Sequence, residues 1–271
     1  MTGARTREGL KMHGAHNTFV LVDERPRTRD SYAALARDVC APEGPFDGAD
    51  GLLVVGDAVG AVAEMRIFNA DGSEPEMCGN GVRCVARYLV DRGAGDAFTI
   101  STVAGPIVTK IVSHDPFEAR IDVGPVSFAA DGTTETIEVL GRSWSFVAAS
   151  LGNPHAVAFV DDVAAIDLDA LGRAFNAHAR FPQGVNLHIA RVASNEPQTL
   201  DVRHYERGVG LTQACGTGAV ASAAVAIVAR GFASPVTVRV PGGTLRVAWQ
   251  PGGTAQLTGP AEPLFARPLP R

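Results

Sequence analysis

The sequence predicts an α+β protein of two pseudo-symmetric halves, each a mixed, curled β-sheet or barrel around a central buried helix. Three observations carry that prediction. First, one phrase occurs twice: Met77-Cys78-Gly79-Asn80-Gly81 and Ala214-Cys215-Gly216-Thr217-Gly218, 137 residues apart in a chain of 271. Second, other anchors keep matching offsets. Asn17 precedes Cys78 by 61 residues and Asn153 precedes Cys215 by 62. Asp50 follows Asn17 by 33, Asn186 follows Asn153 by 33, and Gly105 and Gly242 each lie 27 beyond their cysteine. Agreement at that many anchors marks an internal duplication. Third, the run Ala219–Ala229 carries no charged residue. A helix apolar all round is buried on every side, and the inside of a curled sheet is its simplest home.

The elements follow in order. β-Branched and aromatic runs predict strands over Thr18–Val22, Gly51–Val55, Ala63–Phe68 and Phe98–Ser101 in the first half. Their counterparts are Val157–Val160, Asn186–Ala190, Leu200–His204 and Val236–Val240. Between the third and fourth strand of each set a helix begins at the cysteine. Arg92-Gly93 and Arg230-Gly231 close these helices, a cation at the C-terminal end followed by glycine. The turn Asp131-Gly132-Thr133-Thr134 and the repeat arithmetic divide the chain into residues 1–128, carrying Cys78, and 129–271, carrying Cys215, with the last strand free to pack back on the first half.

Composition narrows the function. Apolar residues make up 46% and charged residues 20%, and a formal charge of −5 supplies no basic stripe for nucleic acid. No apolar run is long enough to span a bilayer. The polar stretch Met1–Arg7 lacks the apolar core of an export signal, so the expected compartment is the cytoplasm. The cysteines Cys40, Cys78, Cys84 and Cys215 are too few for a disulfide scaffold and have no zinc spacing, so reduced thiols and no metal are expected.

Cys40 and Cys84 read as buried, inert small hydrophobes. Cys78 and Cys215 differ. A thiol at a helix N-terminus meets unpaired N–H groups and the positive end of the helix dipole, which favour the thiolate. Gly79, Gly81, Gly216 and Gly218 let backbone approach a ligand and free N–H groups for an anion such as a carboxylate. Two such nests facing one cleft would make a two-base device, one sulfur taking a proton from carbon and the other returning one to the opposite face. The halves also differ. Asn69-Ala70 in the first stands where Glu206-Arg207 stands in the second, and Phe19 stands where His155 does. One arginine in one half suggests a second, distal anionic group. His155 and Glu206 are candidate helpers in thiol protonation.

These residues together resemble the diaminopimelate epimerase family from Lys11 to about Phe265. Phe68-Asn69-Ala70-Asp71-Gly72-Ser73-Glu74, running on to Cys78-Gly79-Asn80-Gly81-Val82-Arg83-Cys84, is similar to its first cysteine signature. Leu151-Gly152-Asn153-Pro154-His155, Phe181-Pro182 with Asn186, and Tyr205-Glu206-Arg207-Gly208 through Gly218 are similar to its second half. The resemblance implies a cofactor-independent epimerase interconverting LL- and meso-2,6-diaminopimelate for lysine and peptidoglycan precursors. It implies Cys78 and Cys215 as the acid/base pair, assisted by His155 and Glu206. Asn17, Asn69, Asn153, Asn186, Glu206 and Arg207 would hold the substrate, and the Gly79-Asn80 and Gly216-Thr217 backbones its reacting carboxylate. A homodimer is compatible with it. Departures are Gly14-Ala15-His16-Asn17-Thr18-Phe19, with His16 for a glycine and Thr18 for an aspartate, Phe46-Asp47-Gly48-Ala49-Asp50, which lacks a glycine, and Leu211. The alternative is another two-cysteine amino-acid racemase, also independent of pyridoxal phosphate, with a different substrate. The chain's two lysines, Lys11 and Lys110, both fall in extended-looking runs.

Overall fold

The computed structural model describes residues 7–26 and 31–270; positions 1–6, on which the expectation of a leader-free N-terminus rests, lie outside the described residues. In chain order the elements are β1 (Glu8–Gly14), β2 (Asn17–Asp23), α1 (Ala33–Cys40), β3 (Gly51–Gly56), β4 (Ala63–Asn69), α2 (Gly79–Val90), β5 (Ala97–Thr102), β6 (Gly105–His114) and β7 (Phe117–Pro125). There follow β8 (Ser127–Phe128), a 3₁₀ turn (Ala129–Gly132), β9 (Thr134–Val139), β10 (Arg142–Ser150), β11 (Pro154–Phe159), α3 (Leu168–Ala177), β12 (Asn186–Val192) and β13 (Thr199–Glu206). The last elements are β14 (Gly210–Thr212), α4 (Gly216–Arg230), β15 (Val236–Val240), β16 (Gly243–Ala248), β17 (Thr254–Pro260) and β18 (Glu262–Pro268). Among the described residues two compact units result, one running to Ile121 and resuming from Gly259, the other of residues 122–258.

In the first unit β18, β1 and β2 pair antiparallel, β2 and β3 parallel, β3 and β4 antiparallel, β4 and β5 parallel, and β5, β6 and β7 antiparallel. The second unit repeats the pattern. Here β9, β10 and β11 are antiparallel, β11 and β12 parallel, β12 and β13 antiparallel, β13 and β15 parallel, and β15, β16 and β17 antiparallel. This is the duplication the offsets predict, an α+β fold with a curled mixed sheet in each half.

The sheet of each unit is covered on both faces. Every residue of β3, Gly51–Gly56, is buried, as a strand paired parallel on one side and sandwiched between helices must be. On one face α1 packs Ala36, Val39 and Cys40 with Tyr32 against Val20, Leu52 and Phe68. In the second unit α3 packs Leu168, Leu171 and Phe175 against Phe146, Leu187 and Ile189. The cysteine-led helices occupy the other face, and α4 is buried continuously from Gly218 to Ala226; the uncharged run predicts burial as far as Ala229, but Val228 and Ala229, in the last turn before the helix ends, are exposed. Its one polar residue there, Ser222, donates to Gly218 O at 2.8 Å.

Sequence and structure differ at element ends and in the crossovers. Helices α1 and α3 are additional to the predicted strand–helix–strand order. Parallel partners β2/β3 and β11/β12 need a crossover between them, which a helix supplies. Helix α2 stops at Val90, ahead of Arg92-Gly93, because Gly93 at φ 91° and the bond from Ala94 N–H to Leu89 O end the ladder early. At α4 the stop falls as predicted, with Gly231 left-handed at φ 69°. Strand β11 begins at Pro154, ahead of the predicted Val157, because its pairing with β10 starts at Ser150↔Pro154. Among the described residues no helix is long and apolar enough to cross a membrane.

Candidate active site

Both phrase cysteines are helix N-caps. Cys78 (φ −143°, ψ 117°) precedes α2, and Cys215 (φ −118°, ψ 111°) precedes α4. The first intrahelical bonds run from Val82 N–H to Cys78 O and from Ala219 N–H to Cys215 O, each at 2.9 Å. The N–H groups of the first turn, glycine-rich in both helices, therefore stand outside the ladder.

In the first unit Cys78 is half-buried, and its Sγ donates to Asn17 Oδ1 at 3.9 Å. Asn17 is held at both ends of its amide. Its Nδ2 donates to Asp50 Oδ2 at 2.8 Å, and its Oδ1 also accepts from Asn80 Nδ2 at 3.2 Å. Thr18 fills the role of a helper to Asn17, its N–H and hydroxyl donating to the same Asp50 oxygen at 2.7 and 3.0 Å. His16 and Ala15 both sit left-handed, at φ 59° and 54°, in the tight turn from β1 to β2. The His16 ring stacks on His13, with ring centroids 5.0 Å apart. Gly14 brings that turn against the Asn80 carbonyl, which a Cβ would meet at 2.8 Å. Asn69, at the exposed end of β4, donates from Nδ2 to Ser73 Oγ at 2.9 Å.

Sequence reasoning missed Arg83. It is completely buried within α2, the largest such side chain among the described residues. It donates to Asn80 Oδ1 at 2.7 Å, Pro260 O at 3.2 Å and Gly79 O at 3.4 Å, all uncharged acceptors. Burial pulls the guanidinium pKa down, and the Cys84 and Cys78 sulfurs work against that. Burial also pushes the Cys84 thiol up to about 12 and the Cys40 thiol up to about 12, so both stay neutral.

In the second unit Cys215 is buried, and its Sγ lies 3.7 Å from Thr217 Oγ1. Burial pushes this thiol well above its ordinary value, and the charge of the Glu206 carboxylate adds to the effect. The Thr217 hydroxyl and the Gly218 N–H pull the other way. At rest Cys215 is a neutral thiol. Glu206 closes β13, and Arg207 follows it. The Arg207 N–H donates to Asn186 Oδ1 at 3.0 Å and its guanidinium to Gln183 O at 2.9 Å. Among the described residues no ion pair to a carboxylate engages Arg207. Asn186 is buried and occupied at both ends, its Nδ2 donating to Pro154 O at 3.0 Å. It braces Arg207 and the start of β11.

His155 is 1% exposed and both ring nitrogens are engaged, Nε2 with Asn153 Oδ1 at 2.9 Å and Nδ1 with His188 Nε2 at 2.8 Å. Burial, with Arg207 nearby, lowers its pKa to about 3. It is therefore a neutral imidazole whose reach into the site runs through Asn153. Among the described residues no group of three or more His, Cys, Asp or Glu is placed to hold a metal ion.

Comparison with known proteins converges on one family. The family model described as diaminopimelate epimerase matches residues 9–129 and 147–264. A diaminopimelate epimerase of Desulfitobacterium hafniense is 38% identical over 275 residues, covering 95% of this chain and 96% of the relative. One from a Cyanothece species is 40% identical over 282 residues, covering 94% and 96%. Two solved structures share the fold. A Bacillus anthracis phenazine biosynthesis protein of the PhzF family has a TM-score of 0.77 at 16% identity, covering 97% of this chain and 99% of that one. A hydroxyproline epimerase of Agrobacterium vitis with bound trans-4-hydroxy-L-proline has a TM-score of 0.71 at 17% identity, covering 99% and 94%.

Proposed function

The chain belongs to the diaminopimelate epimerase family, and on that premise we propose that it interconverts LL- and meso-2,6-diaminopimelate with Cys78 and Cys215 as the two bases. The observation that carries the assignment of roles is the unlike setting of the two sulfurs. Cys215 is a buried thiol that burial and the Glu206 carboxylate keep protonated. Cys78 acts electrostatically on the buried Arg83 guanidinium, whose hydrogen bonds among the described residues all go to uncharged oxygens. A buried cation without a counter-charge is costly, and of the two sulfurs that act on Arg83 only Cys78 is not locked neutral by complete burial. We therefore assign the thiolate to Cys78 in the substrate-ready enzyme, which releases the Asn17 oxygen that its S–H otherwise engages, and the thiol to Cys215.

In one direction the Cys78 thiolate removes the Cα proton and the electron pair passes into the α-carboxylate. N–H donors of the helix first turns stabilise that charge, a preorganised oxyanion site. The Cys215 S–H then delivers its proton to the opposite face, and the thiol and thiolate exchange places. Glu206 and Asn17 Oδ1 receive the S–H of whichever cysteine is protonated. The pair titrates as one coupled unit, so activity is bell-shaped in pH. Asn69, Asn153 and Arg207 bind the non-reacting end of the substrate, and Arg207 fits its carboxylate by a charge-assisted bidentate pair. This reading places the enzyme in the cytoplasm, where thiols stay reduced. It includes a homodimer, which size-exclusion chromatography with light scattering checks.

Proton NMR with LL-diaminopimelate in D₂O under reducing conditions tests the proposal. Deuterium entering one Cα as the meso isomer grows is the expected result. No exchange with diaminopimelate, but exchange with proline or glutamate, moves the assignment to a sister racemase.

Arg83→Met supplies an independent check on the thiolate assignment. An adjacent cation lowers an acid's pKa by about 1–3 units, so its loss should move the acidic limb of kcat/KM upward by at least ~1 unit. Arg83→Lys should restore part of the shift. A profile that stays in place while only thermal stability falls would reduce Arg83 to a structural role.

A further inference from the structure

The second unit contains a line of hydrogen-bonded imidazoles behind Asn153 that the reaction itself does not use. His155 Nδ1 lies 2.8 Å from His188 Nε2, and His188 Nδ1 lies 2.8 Å from His204 Nδ1. The three rings are 1%, 0% and 1% exposed. His188 and His204 are direct cross-strand partners on β12 and β13. The His188 ring also lies under the first turn of α4, where a methyl group at Gly218 would overlap it.

The far end of the line fixes the direction of every bond in it. His204 Nε2 is buried without a partner among the described residues. An orphaned N–H is rarer and costlier in a protein interior than an under-used acceptor, so this nitrogen is the bare one and the His204 proton sits on Nδ1. It donates to His188 Nδ1, which places the His188 proton on Nε2. That proton is donated to His155 Nδ1, which places the His155 proton on Nε2, facing Asn153 Oδ1. A donor arriving at Oδ1 fixes the amide flip of Asn153, and its NH₂ is left to point elsewhere. The duplicated asparagine is held the opposite way. Asn17 gives its NH₂ to Asp50 and turns its oxygen to Asn80 and Cys78.

We propose that His188 and His204 are positioning residues that lock His155 as its Nε2–H tautomer and thereby present Asn153 to the substrate as a hydrogen-bond donor only, selecting an acceptor such as a carboxylate oxygen. The consequence for the substrate rests on the function proposed above; the tautomer lock stands independently of it.

The test uses the full-length protein with ¹⁵N-labelled histidine. Long-range proton–nitrogen spectra at pH 7 should show His155 and His188 as neutral Nε2–H and His204 as neutral Nδ1–H. His155 found as Nδ1–H, or as a cation, overturns the proposal without needing any variant. His204→Leu removes the first donor, so the Nε2–H signature of His155 should become mixed and KM for diaminopimelate should rise about tenfold, the worth of one hydrogen bond to a charged group, with kcat little changed. His204→Asn keeps a donor facing His188 and should restore both. An unchanged His155 signature and KM in a folded His204→Leu protein refutes the lock. Absence of turnover by the wild type, with the tautomers as stated, refutes only the substrate.

Discussion

Replacing either Cys78 or Cys215 by alanine removes epimerisation, with kcat/KM down by at least ~10³-fold, within the range of a lost general acid or base. What survives is more informative than what is lost. On the proposed assignment the Cys215→Ala protein keeps a thiolate at Cys78 that can remove a Cα proton, exchange it with solvent and return it to the same face. Deuterium should then enter the isomer whose proton faces Cys78 with retention of configuration, and no second isomer should form. In Cys78→Ala the remaining thiol has Glu206 beside it to accept its proton, and exchange with retention should appear for the other isomer. NMR in D₂O, with chiral analysis of recovered substrate, reads both outcomes. Cys40→Ser and Cys84→Ala, at buried sulfurs held neutral, are the controls and should epimerise normally. Full inversion by either single cysteine variant would end the two-base assignment, and exchange of the same isomer by both variants would end the assignment of one face to each sulfur.

The duplication was legible because it is a matter of spacing, and spacing survives in a sequence where side-chain chemistry diverges. The offsets locate Asn17 at the first residue of β2, Asn153 immediately before β11, and the two cysteines at matching N-caps. The α4 interior was legible because a long run without charge has one place to go. Arg83 was not, because a charge on a helix is ordinarily read as a solvated face. Its signal was available in the uncharged neighbours Gly79–Val82 and Cys84–Ala86, which leave it no polar face to share. His188 and His204 were hidden for a different reason. Each falls inside a predicted strand, but only the antiparallel register that sets His188 opposite His204, with the parallel register beside it, brings His155 into line. Register depends on which strands pair, and a shift of one residue turns every side chain to the other face. The same dependence explains the role of His155. As an isolated residue it reads as an acid/base helper; between Asn153 and His188 it has no free nitrogen for a sulfur.

Acid should destabilise this fold steeply and early, well before its carboxylates titrate. His155 and His204 have native pKa values of about 3, and His188 is held well below 6.5, burial being the leading cause in each case. The mutual proximity of the rings and the nearby Arg207 act in the same direction. The unfolded chain protonates these side chains near pH 6.5 while the native state does not. Their contribution to stability is therefore complete above that pH and is lost as pH falls from about 6.5 towards about 3. Linkage gives up to ~2 kcal/mol per histidine between pH 7 and 5. The three sum to ~6 kcal/mol, comparable with the ~5–15 kcal/mol that holds a typical domain. The half-buried His13, also lowered by burial, adds to the same side. Asp23, Glu135 and Asp201, held below their ordinary values, change stability with the same sign but only below about 4.5, so the interval from pH 6.5 to 5 isolates the histidines. Urea midpoints at pH 7, 6 and 5 measure the slope, and His204→Leu should reduce it by about one proton's worth, ~1.4 kcal/mol per pH unit. A midpoint that does not move between pH 7 and 5 would mean that the native state takes up protons as readily as the unfolded chain, which three dry imidazoles bonded in series cannot do while the line behind Asn153 is intact.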